Sequence, residues 1–113
     1  MTAKVSMNSL QPILADVTHR ITQVAHPQRI ILFGSSVAGK MNRDSDLDIL
    51  VIMRGPVHRR KVAQKIYRNL HGVSMPVDII VATEQDIAEN SMKAGSILRP
   101  AMAEGKIIYE AQG

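Results

Sequence analysis

Hydrophobic residues near the start of the chain recur at every third or fourth position, which predicts a helix with one buried face. The inward set is Leu10, Ile13, Leu14, Val17, Ile21 and Val24. Ser9 is the candidate N-cap, because its hydroxyl can accept a hydrogen bond from an unpaired backbone N–H of the first turn. Pro27 ends the pattern, since proline disfavours a helical conformation in the residue before it.

The same spacing predicts a second helix over residues 57–70. Its inward residues are Val62, Ile66 and Leu70. Thr83 with Asp86 three residues later is typical of a capping box, and it predicts the start of another helix. Pro100 is expected to kink or divide that helix.

Short, mainly apolar runs between these helices predict β-strands. They cover Arg29–Phe33, Asp46–Met53, Met75–Ala82 and Lys106–Tyr109, the last after a helix stop at Gly105. Alternating helices and strands predict an α/β fold in which helices flank a mixed sheet. With 113 residues and no linker between blocks of different composition, we expect one domain, residues 1–113.

Composition narrows the chemistry that the chain can perform. The absence of cysteine excludes disulfides, thiolate metal sites and a thiol nucleophile, so a metal would need oxygen or imidazole ligands. No apolar run approaches the ~18 residues of a membrane span, and the N-terminus lacks a signal-peptide pattern, so a cytoplasmic protein is expected. The formal net charge of +4 favours anionic partners without choosing among them.

Acidic residues stand at the start of two of the predicted strands. Because side chains alternate along a strand, Asp46 and Asp48 share a face that is otherwise apolar. Asp78 likewise leads an apolar face of the following strand. If these two strands are parallel neighbours, the three carboxylates converge at one place.

Converging carboxylates predict a bound cation. Two like charges at 4 Å repel by about 4 kcal/mol at an effective dielectric of 20, and three carboxylates make three such pairs. Mg²⁺ suits them, because it is bound through a few carboxylates together with phosphate oxygens and water. The turn at Gly34, Ser35 and Ser36 suits a phosphate, since glycine lets backbone amides approach closely. It faces the carboxylates only if the first strand runs antiparallel to the second.

Residues Phe33 to Val51, with the sequence FGSSVAGKMNRDSDLDILV, resemble the signature of the polymerase-beta-like nucleotidyltransferase superfamily. That signature is glycine-serine, ten residues, then D-x-D on a strand. Its positions are filled by Gly34, Ser35, Asp46 and Asp48, and Asp78 stands in the place of the third carboxylate. In length and element order the chain is most similar to the minimal nucleotidyltransferases.

The resemblance implies a metal-dependent transfer of a nucleoside monophosphate, AMP from ATP, to an acceptor hydroxyl. Asp46 and Asp48 would hold two Mg²⁺ ions, while Asp78 would complete the second ion's ligands and face the acceptor. The nucleotide-binding residues implied are Gly34, Ser35, Ser36, Gly39 and Lys40.

The chain departs from the family pattern directly after the glycine-serine. Members often carry basic residues there, as in G-S-R-A-R-G, whereas this chain has Ser36, Val37 and Ala38. Gly39 is kept and Lys40 follows it. The missing positive charge predicts modest nucleotide affinity, or a partner that supplies the charge.

The resemblance also implies a protein partner. Minimal nucleotidyltransferases commonly pair with a small helical protein of the HEPN type, encoded beside them, in what resembles a toxin and antitoxin couple. This chain would be the antitoxin, and its acceptor would be a hydroxyl of the partner in a hetero-oligomer, with a homo-oligomer left open. The alternatives are a binding module that neutralises its partner without catalysis, and a transferase for a small molecule such as an aminoglycoside.

A basic run extends along the second predicted helix. It consists of His58, Arg59, Arg60 and Lys61, continued by Lys65 and Arg68. A solvated helix face is the commoner origin of such a run, and no aromatic residues are interleaved for base stacking. Nucleic acid is therefore not the expected substrate. The four histidines form no metal-binding pair and are expected to be surface or cap residues.

Overall fold

The computed structural model describes residues 7–34, 46–90 and 98–112, without the side chains of residues 7–9, 90 and 99. Within these ranges no helix is long and apolar enough to cross a membrane. The elements in chain order are α1 Met7–Val24, β1 Arg29–Phe33, β2 Leu47–Met53, α2 Arg59–Asn69, β3 Val77–Thr83, α3 Glu84–Asn90, α4 Leu98–Glu104 and β4 Lys106–Glu110. The single-domain extent and the cytoplasmic location stay predictions.

The four strands form one mixed sheet in the order β3-β2-β1-β4. β2 and β3 are parallel neighbours, while β1 is antiparallel to both β2 and β4. Both strand directions that the sequence required for a common site are confirmed. β3 and β4 are the edge strands, and the pairing of β4 with β1 is interrupted by a register shift at Ile30 and Ile31.

Helices cover both faces of the sheet, as predicted. α1 and α2 pack on one face in a first core, to which β2 contributes Leu47, Ile49, Val51 and Met53. α4 packs on the other face in a second core with Leu50 and Ile52, and Ile87 of α3 borders it. Because β2 is buried on both sides, an acidic residue in it is held by the packing of its apolar neighbours.

The starts of α1 and α2 differ from the sequence prediction, which began the second helix at residue 57. α1 begins at Met7, so Ser9 lies inside its first turn and is not the N-cap. α2 begins at Arg59, and its N-cap is His58, whose Nδ1 accepts a hydrogen bond from the backbone N–H of Lys61 at 3.3 Å. This role agrees with the prediction that the histidines are surface or cap residues.

The capping box at the start of α3 is confirmed. The backbone N–H of Thr83 donates to Asp86 Oδ2 at 2.9 Å, and the backbone N–H of Asp86 donates to Thr83 Oγ1 at 3.1 Å. Pro100 lies in the first turn of α4, where its missing N–H costs no helical hydrogen bond. It therefore does not kink a helix, and the segment before α4 lies outside the described residues. Gly105 ends α4 as predicted, donating to the carbonyl of Ala101 at 2.9 Å.

Candidate functional site

The three predicted carboxylates lie at the same end of the sheet. Asp48 and Asp78 are direct partners in the parallel pairing of β2 and β3, and adjacent strands lie about 4.8 Å apart. Asp46 immediately precedes β2. Asp46 and Asp78 are exposed, whereas Asp48 is partly buried. The parallel register thus places a half-buried acid between two solvated ones.

Gly34 closes the other side of this group. It follows β1, whose last residue, Phe33, pairs with Asp48, and it adopts a φ of +81°. A Cβ built on Gly34 would collide with the Asp48 carboxylate, whose Cγ would lie only 3.1 Å away. The position therefore requires glycine for two reasons, its left-handed backbone conformation and its close approach to the Asp48 carboxylate.

The environment of Asp48 disfavours its charge. Burial raises its pKa above the usual carboxyl value, and the nearby charges of Asp78 and then Asp46 raise it further. Asp48 therefore lies within the electric field of both neighbouring acids. A bound divalent cation would reverse the sign of this environment, because it supplies the positive charge that the group lacks.

The donor set fits Mg²⁺ by its chemistry. Every candidate ligand is a carboxylate oxygen, and Mg²⁺ usually takes one or two carboxylates, with water and substrate phosphate filling the remaining positions. Among the side chains that the structure describes, no three of His, Cys, Asp or Glu stand close enough to form a metal cluster. The register brings Asp48 and Asp78 together as a pair, and Asp46 lies two residues before Asp48 in the chain.

Tyr67 is a neighbour of the carboxylates that the sequence did not indicate. Its hydroxyl lies 3.3 Å from Asp78 Oδ1 and 2.8 Å from the backbone nitrogen of Ile79. Tyr67 belongs to α2, where it follows the buried Ile66 and is itself exposed. No spacing rule connects a helix residue to the edge of the next strand, so no sequence signal pointed to this contact.

Four residues of the predicted nucleotide-binding set lie outside the described residues. They are Ser35, Ser36, Gly39 and Lys40. Of that set the structure therefore places only Gly34, directly beside Asp48. The binding roles of all five stay predictions.

Other conspicuous features lie away from the carboxylates. A cavity of about 610 Å³ between α1 and β4 is bordered by Thr18, His19 and Lys106, and none of the three acids reaches it. The basic residues of α2 are exposed, and Arg59 pairs with Asp86 at 3.2 Å. This arrangement agrees with a solvated helix face.

Comparison with known proteins locates the chain among relatives. The family model of the nucleotidyltransferase domain matches residues 17–103. No curated protein matches the chain by sequence.

Solved structures share the fold. One is a protein of Sulfolobus solfataricus assigned as a nucleotidyltransferase, 20% identical, with a TM-score of 0.59, covering 86% of this chain and 78% of its own. Another is a toxin-antitoxin crystallised with AMP-PNP, 23% identical, with a TM-score of 0.58, covering 88% of this chain and 74% of its own. At these identities the likeness shows a common fold.

Proposed function

The chain belongs to the nucleotidyltransferase domain family, and we propose that it transfers AMP from ATP to an acceptor hydroxyl at the site formed by Asp46, Asp48 and Asp78. The observation that carries this proposal is the parallel register of Asp48 and Asp78, with Gly34 against the first of them. It sets neighbouring carboxylates beside the glycine of the proposed phosphate-binding residues, as a metal-assisted reaction of a triphosphate requires.

Each residue has a distinct role in this proposal. Asp46 and Asp48 would hold two Mg²⁺ ions, Asp78 would complete the ligands of the second ion, and Gly34 keeps the backbone close to Asp48 so that a phosphate can approach. Asp78, exposed at the outer strand, orients the acceptor hydroxyl and accepts its proton. Bound Mg²⁺ supplies charge neutralisation for the triphosphate and lowers the pKa of a coordinated hydroxyl.

The reaction balances without a further reactant. The acceptor oxygen forms a bond to the α-phosphorus of ATP as the bond from that phosphorus to the bridging oxygen breaks. Pyrophosphate leaves with the electron pair of that bond, and the hydroxyl proton passes to the Asp78 carboxylate. The products are a nucleotidylated acceptor and pyrophosphate.

We further infer that the acceptor is a hydroxyl, such as that of a tyrosine, on a HEPN-type partner, so that modification neutralises a toxin. A relative of the same fold was crystallised as a toxin-antitoxin with AMP-PNP, which supports a protein partner and a triphosphate ligand. The exposure of Asp46 and Asp78 leaves room for a second protein to present its hydroxyl. The rigid surface of such a partner would supply the orientation that the reaction needs.

Two labelled forms of ATP test this proposal. The chain, Mg²⁺ and the protein encoded by the adjacent gene are incubated with ATP labelled at the α-phosphate or at the γ-phosphate. Nucleotidyl transfer labels the partner from the α-label only. Labelling from the γ-phosphate would indicate phosphoryl transfer instead.

Two further results would also contradict the proposed acceptor. If the toxin is inhibited in a complex with this chain but carries no label, the binding module is favoured. Labelling of an added aminoglycoside in place of the partner would favour a small-molecule transferase. The other three nucleoside triphosphates, tested in the same way, establish whether ATP is the preferred donor.

A further inference from the structure

Tyr67 is fixed at the edge of the sheet by hydrogen bonds at both sides of its hydroxyl. The backbone N–H of Ile79 donates to the phenol oxygen at 2.8 Å. A phenol has a single proton of its own, and with this N–H pointing at its oxygen, that proton is free to be donated to Asp78 Oδ1, 3.3 Å away. The backbone of β3 thus determines which way the hydroxyl of Tyr67 donates.

The packing of α2 explains how the side chain of Tyr67 comes to contact Asp78. Ile66 and Leu70 bury α2 against the first core, on the face of the sheet opposite Asp48. Consecutive residues are about 100° apart around a helix, so Tyr67 points sideways from this buried face. There it passes the outer edge of β3, where the N–H groups that do not pair with β2 are available.

We propose that Tyr67 is a positioning residue, which holds one oxygen of Asp78 and leaves the other for the cation and the acceptor hydroxyl. This inference rests on the role given to Asp78 in the proposed function. Carboxylates that bind metals are commonly held by hydrogen bonds from residues behind them, and losing such a bond typically lowers metal affinity or activity about 10- to 100-fold. An exposed Asp78 without this bond would rotate between several orientations.

The two distances indicate how the contact works. The bond to Ile79 has an ordinary length, so the phenol oxygen is well fixed. The 3.3 Å to Asp78 exceeds the roughly 2.5–3.0 Å of a strong O–H···O bond. Hydrogen bonds in active sites are often long without substrate and shorten when it binds. The hydrogen bond from Tyr67 to Asp78 can therefore shorten when the site binds its ligands.

A purely structural role for Tyr67 makes a different prediction. If its hydroxyl only satisfied the N–H of Ile79 at the sheet edge, Tyr67→Phe would lower stability without acting through Asp78. A double-mutant cycle separates the two roles, because residues that act through one another give non-additive effects. Tyr109 provides a matched control, since it is the only other tyrosine and lies in β4 at the opposite edge of the sheet.

The test is the affinity for Mn²⁺ alone, measured from the free-ion electron paramagnetic resonance signal with folded protein. Tyr67→Phe should weaken Mn²⁺ binding about 10-fold or more, as should Asp78→Asn. Tyr109→Phe should leave the affinity unchanged. Adding Tyr67→Phe to Asp78→Asn should cause no further loss, since the hydroxyl then has no carboxylate to hold.

The outcomes separate the two levels of the proposal. Wild-type affinity in folded Tyr67→Phe, with Asp78→Asn impaired, would overturn the positioning role and leave the proposed function standing. Wild-type affinity in Asp78→Asn would overturn the role of Asp78 itself, and the inference with it. Equal, additive losses from both substitutions would assign Tyr67 an effect independent of Asp78 and would also overturn the inference.

A second measurement does not depend on the folding of Tyr67→Phe. The chain has no tryptophan, so in Tyr109→Phe the fluorescence comes from Tyr67 alone. A carboxylate that accepts the phenol proton quenches tyrosine emission, and Asp78→Asn in this background should therefore increase it. Unchanged emission would show that the contact is not formed in solution and would overturn the proposal.

Discussion

Gly34 lies against the carboxylate of Asp48, although β1 and β2 are joined by a long segment of chain. The contact exists because the antiparallel pairing sets the end of β1 beside the start of β2, with Phe33 opposite Asp48. The φ of +81° then turns the backbone at Gly34 toward the acid. The residue proposed to approach the phosphates and an acid proposed to bind the metal thereby come from one pair of neighbouring strands.

We predict that Gly34→Ala weakens ATP binding in the presence of Mg²⁺ by about 10-fold or more. The added methyl group would displace the Asp48 carboxylate, and a misplaced ligand commonly costs such a factor. Calorimetric titration with a non-hydrolysable ATP analogue measures the effect.

Gly72→Ala is the matched control for this substitution. Gly72 also has a positive φ, of +91°, but a Cβ there meets nothing within 4 Å. Both variants should lose roughly 1–2 kcal/mol of stability through backbone strain, and only Gly34→Ala should lose affinity. Wild-type affinity in folded Gly34→Ala would assign this glycine a structural role only.

Asp46→Asn combined with Asp48→Asn should lower nucleotidyl transfer by about 10²-fold or more, because metal assistance contributes several kcal/mol and about 1.4 kcal/mol is a factor of ten. The fold should be retained, since the amides keep the shape and remove the repulsion. Circular dichroism checks the fold and α-phosphate labelling the transfer. Undiminished transfer by the folded variant would refute the assigned chemistry.

Asp48→Asn alone should raise the melting temperature at neutral pH. Because folding raises the pKa of Asp48, its ionisation destabilises the native state, and wild-type stability falls as pH rises through the raised value. Below the ordinary carboxyl pKa, about 4, the acid is neutral in both states and the difference should disappear. Thermal melts of both proteins between pH 3 and pH 8 measure this. A difference that does not depend on pH would contradict this electrostatic account.

Saturating Mg²⁺ should raise the melting temperature of wild type and have little effect on Asp48→Asn. A ligand that binds only the native state stabilises it, by about 2.7 kcal/mol at a hundred times its Kd. Scanning calorimetry with and without Mg²⁺ makes the comparison, with a monovalent salt of equal ionic strength as the control. Equal shifts in the two proteins would indicate that Asp48 does not bind the ion.

The capping box can be tested independently of the site. Thr83→Ala and Asp86→Ala should each lower the free energy of unfolding by about 1 kcal/mol, because each removes the side chain that accepts a hydrogen bond from the other residue's backbone N–H. Glu84→Gln, exposed in the same turn, should cost only a few tenths. Denaturant unfolding gives the values, and equal losses in all three variants would argue against a specific cap.

Much of the fold could be predicted because the apolar pattern was unambiguous. The alternation along β2 places Leu47 and Leu50 on opposite faces, where they are buried in different cores, and the helical spacing over residues 57–70 predicted the burial of Ile66 and Leu70. The convergence of Asp48 and Asp78 followed from the same alternation once the two strands were parallel. Periodicity determines which face of the sheet a residue occupies. Because both acids occupy the same face of neighbouring strands, this was sufficient to predict that they lie together.

Details that depend on tertiary contacts were not predictable. Ser9 has the chemistry of a cap, but α1 continues past it to Met7, and local propensity does not determine where a helix starts. Tyr67 contacts Asp78 only because α2 packs at a particular position along the edge of β3. Such a relationship is set by packing between elements and leaves no spacing in the sequence.

The most direct test of the central claim is the intact mass of the partner protein after incubation with this chain, Mg²⁺ and ATP. The account predicts an increase by the mass of one or more AMP groups with wild type, and no increase with the Asp46→Asn and Asp48→Asn variant or with chelated Mg²⁺. An unshifted partner mass with folded wild type, while the toxin is still neutralised, would contradict catalysis and favour neutralisation by binding alone.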